Sequence, residues 1–206
     1  MELEAEDEAM LAGAQGEACA LAMRTVVALA EGMRATRLLD IVGAHIDGCV
    51  YYGEACLDWA LRFRDLGGRV RVPTTLNIGL LDLLHPGLTD VPAERAVPAR
   101  RLMDAYVELG ARPTFTCAPY QLADARPGLG EHVAWAESNA IVFANSVLGA
   151  RTNRYGDFAD VACALTGRAP DAGLHRTEHR RARVVLDVSG LSPAVLDSDV
   201  LYPVLG

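Results

Sequence analysis

Several short stretches of this 206-residue chain carry the residue types that reactions need. Cys117 stands between a strand-like run, residues 112–117, and Pro119, where a thiolate at a rigid strand end is a soft ligand for iron or an iron–sulfur centre. An inert buried thiol is the commoner fate of a cysteine and competes with that reading. His45 and Asp47 share another strand end. Such a pair serves as a general acid with its orienter or as outer support for a metal, and a lone histidine is more often simply a satisfied structural residue. Thr74, Thr75 and Asn77 follow Pro73 and can donate hydrogen bonds to a substrate or cap a helix.

Further along, Glu137-Ser138-Asn139 and Asn145-Ser146 bring amides and hydroxyls together beside apolar segments, which suits a polyoxygenated ligand or an amide oxygen in a metal shell. Capping and turn chemistry use the same residues. Residues 149–154, GARTNR, offer the guanidinium groups of Arg151 and Arg154 with Thr152 between them and small residues alongside, a clamp for carboxylate or phosphate or else a solvated surface turn.

The elements that must position these groups are α/β in pattern. Apolar residues at three- and four-residue spacing over 6–35, broken near Gly13–Gly16, predict two helices, and helices are also expected over 55–66, 94–109 and 161–166, the last ending at Gly167. Strands are expected at 37–42, 69–72, 112–117 and 183–188, with 132–136 a short strand and 139–148 helix or strand. Helix, strand and polar tip recur three times, predicting a layered mixed or parallel sheet with flanking helices and chemistry at the strand ends. The chain closes on Tyr202-Pro203-Val204-Leu205-Gly206 without a further helix, so the last strand is expected to lack a partner.

Composition narrows the function classes. A net charge of −8 with no basic block argues against nucleic acid or an anionic membrane as partner. All 19 basic residues are arginine, which removes lysine Schiff-base and P-loop chemistry from this segment. No apolar run reaches the roughly 18 residues a bilayer demands, and the acidic start differs from a signal peptide, so the cytoplasm is the expected compartment. Five cysteines, odd in number and without a CxxC pair, point to reduced thiols rather than a disulfide framework or a zinc knuckle.

Taken in order and spacing, HIDG (45–48), VPTTLN (72–77), CAPY (117–120) and AWAESNAIVFANSVLGARTNR (134–154) resemble the large-subunit domain of the aconitase X family, which includes cis-3-hydroxy-L-proline dehydratases and archaeal phosphomevalonate dehydratases. The resemblance runs from residues 11–16 to the end of the chain. It implies an aconitase-like layered α/β fold and a hydro-lyase that removes water from a small hydroxy acid, a hydroxyproline or a phosphorylated acid, with mononuclear iron or an iron–sulfur cluster. It also implies that residues 1–206 are the N-terminal part of a longer catalytic domain, inactive without a C-terminal half or small subunit.

Dehydration needs a Lewis acid for the leaving hydroxyl, a base for the proton, and cations or amides for the acid group. By resemblance, Cys117 is the metal ligand, His45, Ser138 and Asn139 are catalytic, and Thr74, Thr75, Asn145, Ser146, Arg151 and Thr152 face the substrate. Two other readings compete. In one the chain is a non-catalytic fragment or assembly domain that keeps the fold; in the other Cys117 is a nucleophile paired with His45.

Overall fold

The structure is a computed structural model that describes residues 1–201 apart from Thr89 and Asp199; the expectation at residues 202–206 lies outside the described residues. Helices α1 (Ala5–Leu11) and α2 (Glu17–Gly32) replace the single periodic run, divided as expected at Gly13–Gly16. The two outer glycines of that turn adopt positive φ (84° and 93°), a conformation that costs glycine least. On α2, Ala18, Ala22, Val26 and Ala30 recur every four residues and form one buried face, small enough for another helix to approach closely.

That other helix is α6 (Ala159–Thr166), in which Val161, Ala162, Cys163, Ala164 and Leu165 are all buried, so it is apolar all round and sits at the centre of the fold. Gly167, at φ 69°, ends it in the left-handed cap. Helices α3 (Glu54–Asp65) and α4 (Ala93–Glu108) pack on each other and bury Leu57, Ala60, Phe63, Leu102 and Tyr106 in the same core.

Two small sheets complete the layer. Strands β1 (Leu38–Asp40) and β5 (Arg168–Pro170) pair antiparallel. Strands β2 (Ala44–Ile46), β3 (Thr74–Leu76) and β4 (Ala134–Trp135) form a parallel sheet in the order β3-β2-β4, buried on both faces as parallel strands are. Its register aligns His45 with Thr75 on one side and Trp135 on the other. The fold is therefore α/β, with both a parallel and an antiparallel sheet.

Three expected strands differ. Residues 69–72 alternate, yet they cross between helix ends, Val70 N–H donating to Leu109 O and Arg71 N–H to Ala164 O; the strand begins at Thr74. Residues 112–117 contribute only a bridge at Arg112, because Pro113 has no N–H to give. Thr114 takes over the missing ladder, its hydroxyl accepting from Leu76 N–H and donating to Leu76 O at 2.9 Å each. Among the described residues, 183–188 pair with no strand of either sheet. The 139–148 segment is helical, α5 (Ser138–Phe143) running into a π-turn (Ala144–Leu148).

Candidate active site

The three parallel strands end together, and their last residues and the loops after them build one constellation. His45, the middle residue of β2, is fully buried, and burial pushes its pKa down to about 4, so it is neutral at pH 7. Its Nδ1 lies 2.8 Å from the Thr75 hydroxyl. Its Nε2 has no hydrogen-bond partner among the described residues and faces Glu137 Oε2, which is also buried and unpartnered, at 3.8 Å. Burial raises the Glu137 carboxyl, a hydrogen bond with Cys117 lowers it, and the Asp47 charge raises it further.

Glu137 closes the turn from β4 into α5 with φ 74°, the left-handed region that a side chain enters only at a cost. Cys117 stands against it. Of the five cysteines Cys117 alone is not buried, and its thiol is held protonated first by partial burial and then by the Glu137 charge. Asn139 fixes the Cys117 loop by donating to its carbonyl at 2.8 Å.

The loop after β2 is pinned from beneath. Asp47 N–H donates to Asp160 Oδ2 at 2.7 Å, and the Asp47 carboxylate accepts from the Asn77 amide, which ties the β2 and β3 tips together. Asp160 sits in the first turn of α6, fully buried, and burial raises its pKa to about 7 although it also accepts Val161 N–H at 2.6 Å.

Above this floor opens a cleft of about 320 Å³ lined by Asp47, Glu137, Ser138, Ile141, Val142, Arg154 and Tyr155. A second cavity at the opposite ends of the strands, lined by Gly43, Pro73, Arg112 and Glu131 among others, contains neither His45 nor Glu137.

The structure brings some of the expected residues together and leaves others apart. His45, Cys117, Ser138 and Asn139 belong to the constellation, and Thr75 reaches it through His45. Thr74 is buried and donates to Val72 O at 2.8 Å, away from the cleft. Thr152 is fully buried and holds β4 through Trp135 N–H at 3.1 Å. Asn145 donates to Ile141 O and Thr152 O, both at 2.9 Å, and accepts from Arg180, so its amide is spent on the backbone. Ser146 is exposed on the π-turn, outside the cleft lining. Arg151 points into a separate polar groove, where it donates to His175 O at 2.7 Å and to the Thr177 hydroxyl at 2.9 Å.

Arg154 occupies the place expected of Arg151. It is exposed, lines the cleft beside Ser138, and no partner for its guanidinium is found among the described residues. The spacing of three in Arg151-Thr152-Asn153-Arg154 does not tell which arginine faces the ligand; the bridge between His132 and Arg151 decides it by turning Arg151 toward His175. Glu137 was quoted in sequence but its role is carried by burial and backbone geometry, which no spacing reveals.

Metal fit can be read from these donors. An orphaned buried carboxylate oxygen beside a thiol, with Asp47 adding negative charge, suits a cation. Among the described residues no group of three His, Cys, Asp or Glu side chains can hold one, so the fit is that of a partial donor set.

Comparison with known proteins places the chain in a family. The chain is 54% identical over 204 residues to the cis-3-hydroxy-L-proline dehydratase of Pseudomonas aeruginosa, covering 99% of this chain and 34% of that protein. It is 38% identical over 203 residues to the phosphomevalonate dehydratase large subunit of Thermococcus kodakarensis, covering 98% and 50%. The crystal structure of Thermococcus kodakaraensis aconitase X in its holo-form superposes with a TM-score of 0.79 at 38% identity, over 88% of this chain and 45% of that one. The chain thus spans about a third of the length of the hydroxyproline dehydratases and half that of the large subunits. The model of the aconitase X first domain matches residues 1–178, and with it the chain belongs to the aconitase X family.

Proposed function

We propose that this chain supplies one wall of a dehydratase active site that eliminates water from a small hydroxy acid of the hydroxyproline or phosphorylated class, the remainder coming from a C-terminal part or a small subunit. The observation that carries the reading is buried His45 set against the buried Oε2 of Glu137, beside Cys117 at the ends of three parallel strands, where Glu137 lines a cleft with Arg154, whose guanidinium has no partner among the described residues. Iron, mononuclear or in a cluster, would be held by Cys117 with ligands from the rest of the enzyme, and when bound it would supply the Lewis acid for the leaving hydroxyl.

Each residue of the chain then has a part. Arg154 binds the substrate carboxylate or phosphate through charge-assisted hydrogen bonds, with the Ser138 hydroxyl beside it. Glu137, held in a poorly solvated corner, is the group that takes up a proton, because a carboxyl raised toward neutrality is a better base than an exposed one. Neutral His45, held through Thr75, stands behind the carboxyl and keeps that corner free of water. Asn139 holds the Cys117 loop at its working distance.

The test is reconstitution. The chain, fused to the C-terminal two-thirds of the Pseudomonas aeruginosa relative, is assayed anaerobically with cis-3-hydroxy-L-proline and with phosphomevalonate, and its iron is counted for wild type and Cys117→Ala. Turnover and iron that both vanish in Cys117→Ala support the reading. A folded, iron-loaded fusion without turnover on either substrate moves the chain to the assembly-domain class.

A further inference from the structure

Residues 183–188, RVVLDV, have the composition of a strand: three valines and a leucine around one aspartate. In this structure they are laid open. Val184, Val185 and Leu186 are 75%, 87% and 59% exposed, and among the described residues no main-chain hydrogen bond reaches residues 184–187. The few local bonds lie at the far end, where the Asp187 carboxylate accepts Ser189 N–H and Val188 O accepts Leu191 N–H, a turn into the short helix Pro193–Leu196. Buried cores do not leave three consecutive large apolar side chains in water, and an open apolar strand invites pairing with another chain.

The family comparison says where this segment belongs. The first-domain model ends at residue 178, whereas identity with the hydroxyproline dehydratases continues over 99% and 100% of the chain. Residues 183–188 are therefore shared sequence lying past the part of the chain that the first-domain model matches. Those relatives have about three times the length of this chain, so most of their polypeptide is available to cover it.

We infer that residues 183–188 are the first strand of a second folding unit, which they enter by edge-on pairing with a strand of the polypeptide that follows the shared segment in the longer relatives. Pairing satisfies the main-chain groups of alternate residues along 184–187, those that face the new strand, and, with alternate side chains on opposite faces, buries Val184, Leu186 and Val188 on one side. The inference rests on the proposed function only in needing that longer polypeptide; its readout requires no turnover, so the two can fail separately.

Hydrogen exchange tests it on the 206-residue chain and on the fusion described above. In the chain alone the amides of 184–187 exchange at unprotected rates; in the fusion alternate amides among them slow by at least about 100-fold, while α2 and α6 are equally protected in both. Fast exchange at every amide of 184–187 in a fusion whose added part is itself protected overturns the inference. So does protection in the chain alone, which by light scattering is assigned to a second copy if the chain is dimeric and to packing on the first domain if it is monomeric. Val185→Asp gives a second reading that needs no fusion: it leaves the melting temperature of the chain unchanged, and a drop of several degrees there overturns the inference.

Discussion

His45 Nε2 and Glu137 Oε2 face each other at 3.8 Å, both buried and neither with a hydrogen-bond partner among the described residues. The gap is too long for a hydrogen bond, and two desolvated polar atoms left unmatched cost stability that a purely structural pair would have recovered. Their positions are imposed from outside: His45 by the register of β2 and by Thr75, Glu137 by its positive φ at the start of α5.

Relieving that strain exposes the trade. Glu137→Gly removes the desolvated carboxyl and permits φ 74° freely, so the chain gains about 1–2 kcal/mol. The reconstituted enzyme should lose its turnover by at least about 100-fold if this carboxyl moves the proton. Urea melts of the chain and assays of the fusion check the two halves, and a destabilised variant refutes the first.

The two arginines of the 149–154 stretch separate in kinetics. Arg154→Gln should raise KM about 10- to 100-fold, the loss of a charge-assisted hydrogen bond to the substrate, with the melting temperature unchanged. Arg151→Gln should lower the melting temperature, since the variant cannot hold both His175 O and Thr177, and leave KM alone. The reverse pattern would return the clamp to Arg151.

Stability should depend on pH through three buried groups. The folded values of His45, about 4, and His175, about 3, lie below the ordinary 6.5, so their contribution is present above 6.5 and lost as pH falls. At pH 5 each costs about 2 kcal/mol. Asp160 has the opposite sign: raised to about 7, it destabilises the fold as pH rises from 4 to 7 and returns about 2 kcal/mol on going from pH 7 to 5. The unfolding free energy from denaturant melts should therefore fall by a net of about 2 kcal/mol between pH 7 and 5. The fall should flatten in His175→Gln and steepen in Asp160→Asn; parallel slopes in all three proteins would remove the argument.

A fourth expectation concerns the core. Arg168, 8% exposed, donates to Asp7 at 2.8 Å and to Glu6 at 3.0 Å and also pairs with Asp40, joining α1 to β1 and β5. Asp7 is 2% exposed, so Asp7→Ala leaves a nearly buried guanidinium short of its best partner and should cost about 3 kcal/mol by chemical denaturation. Asp104→Ala, which breaks an exposed pair with Arg100 on α4, should cost less than about 0.5 kcal/mol.

Helices were the legible part of this fold, since the spacing of Ala18, Ala22, Val26 and Ala30 or the cap at Gly167 is written locally. The parallel strands were not: each has two or three residues, too few for a period, and the alternation at 69–72 is stronger than anything in Thr74-Thr75-Leu76. Of the residues that the family resemblance singles out, His45, Cys117, Ser138 and Asn139 come together around the ends of the parallel strands, with Ser138 lining the cleft. Thr152 and Asn145 instead serve the backbone, and a hydroxyl or amide spent on a buried main-chain group looks in sequence like one offered to a ligand.

The row His45, Thr75, Trp135 joins positions 30 and 90 residues apart by strand register alone. Nothing in that alignment depends on how much chain lies between the strands. Segments 78–92 and 118–131 can lengthen, shorten or change composition without shifting the row by a residue, whereas a single insertion inside a strand turns His45 to the other face. For the proposed function such a division predicts a constant reaction centre with interchangeable surroundings, a change of substrate being expected in the connections rather than in the strands.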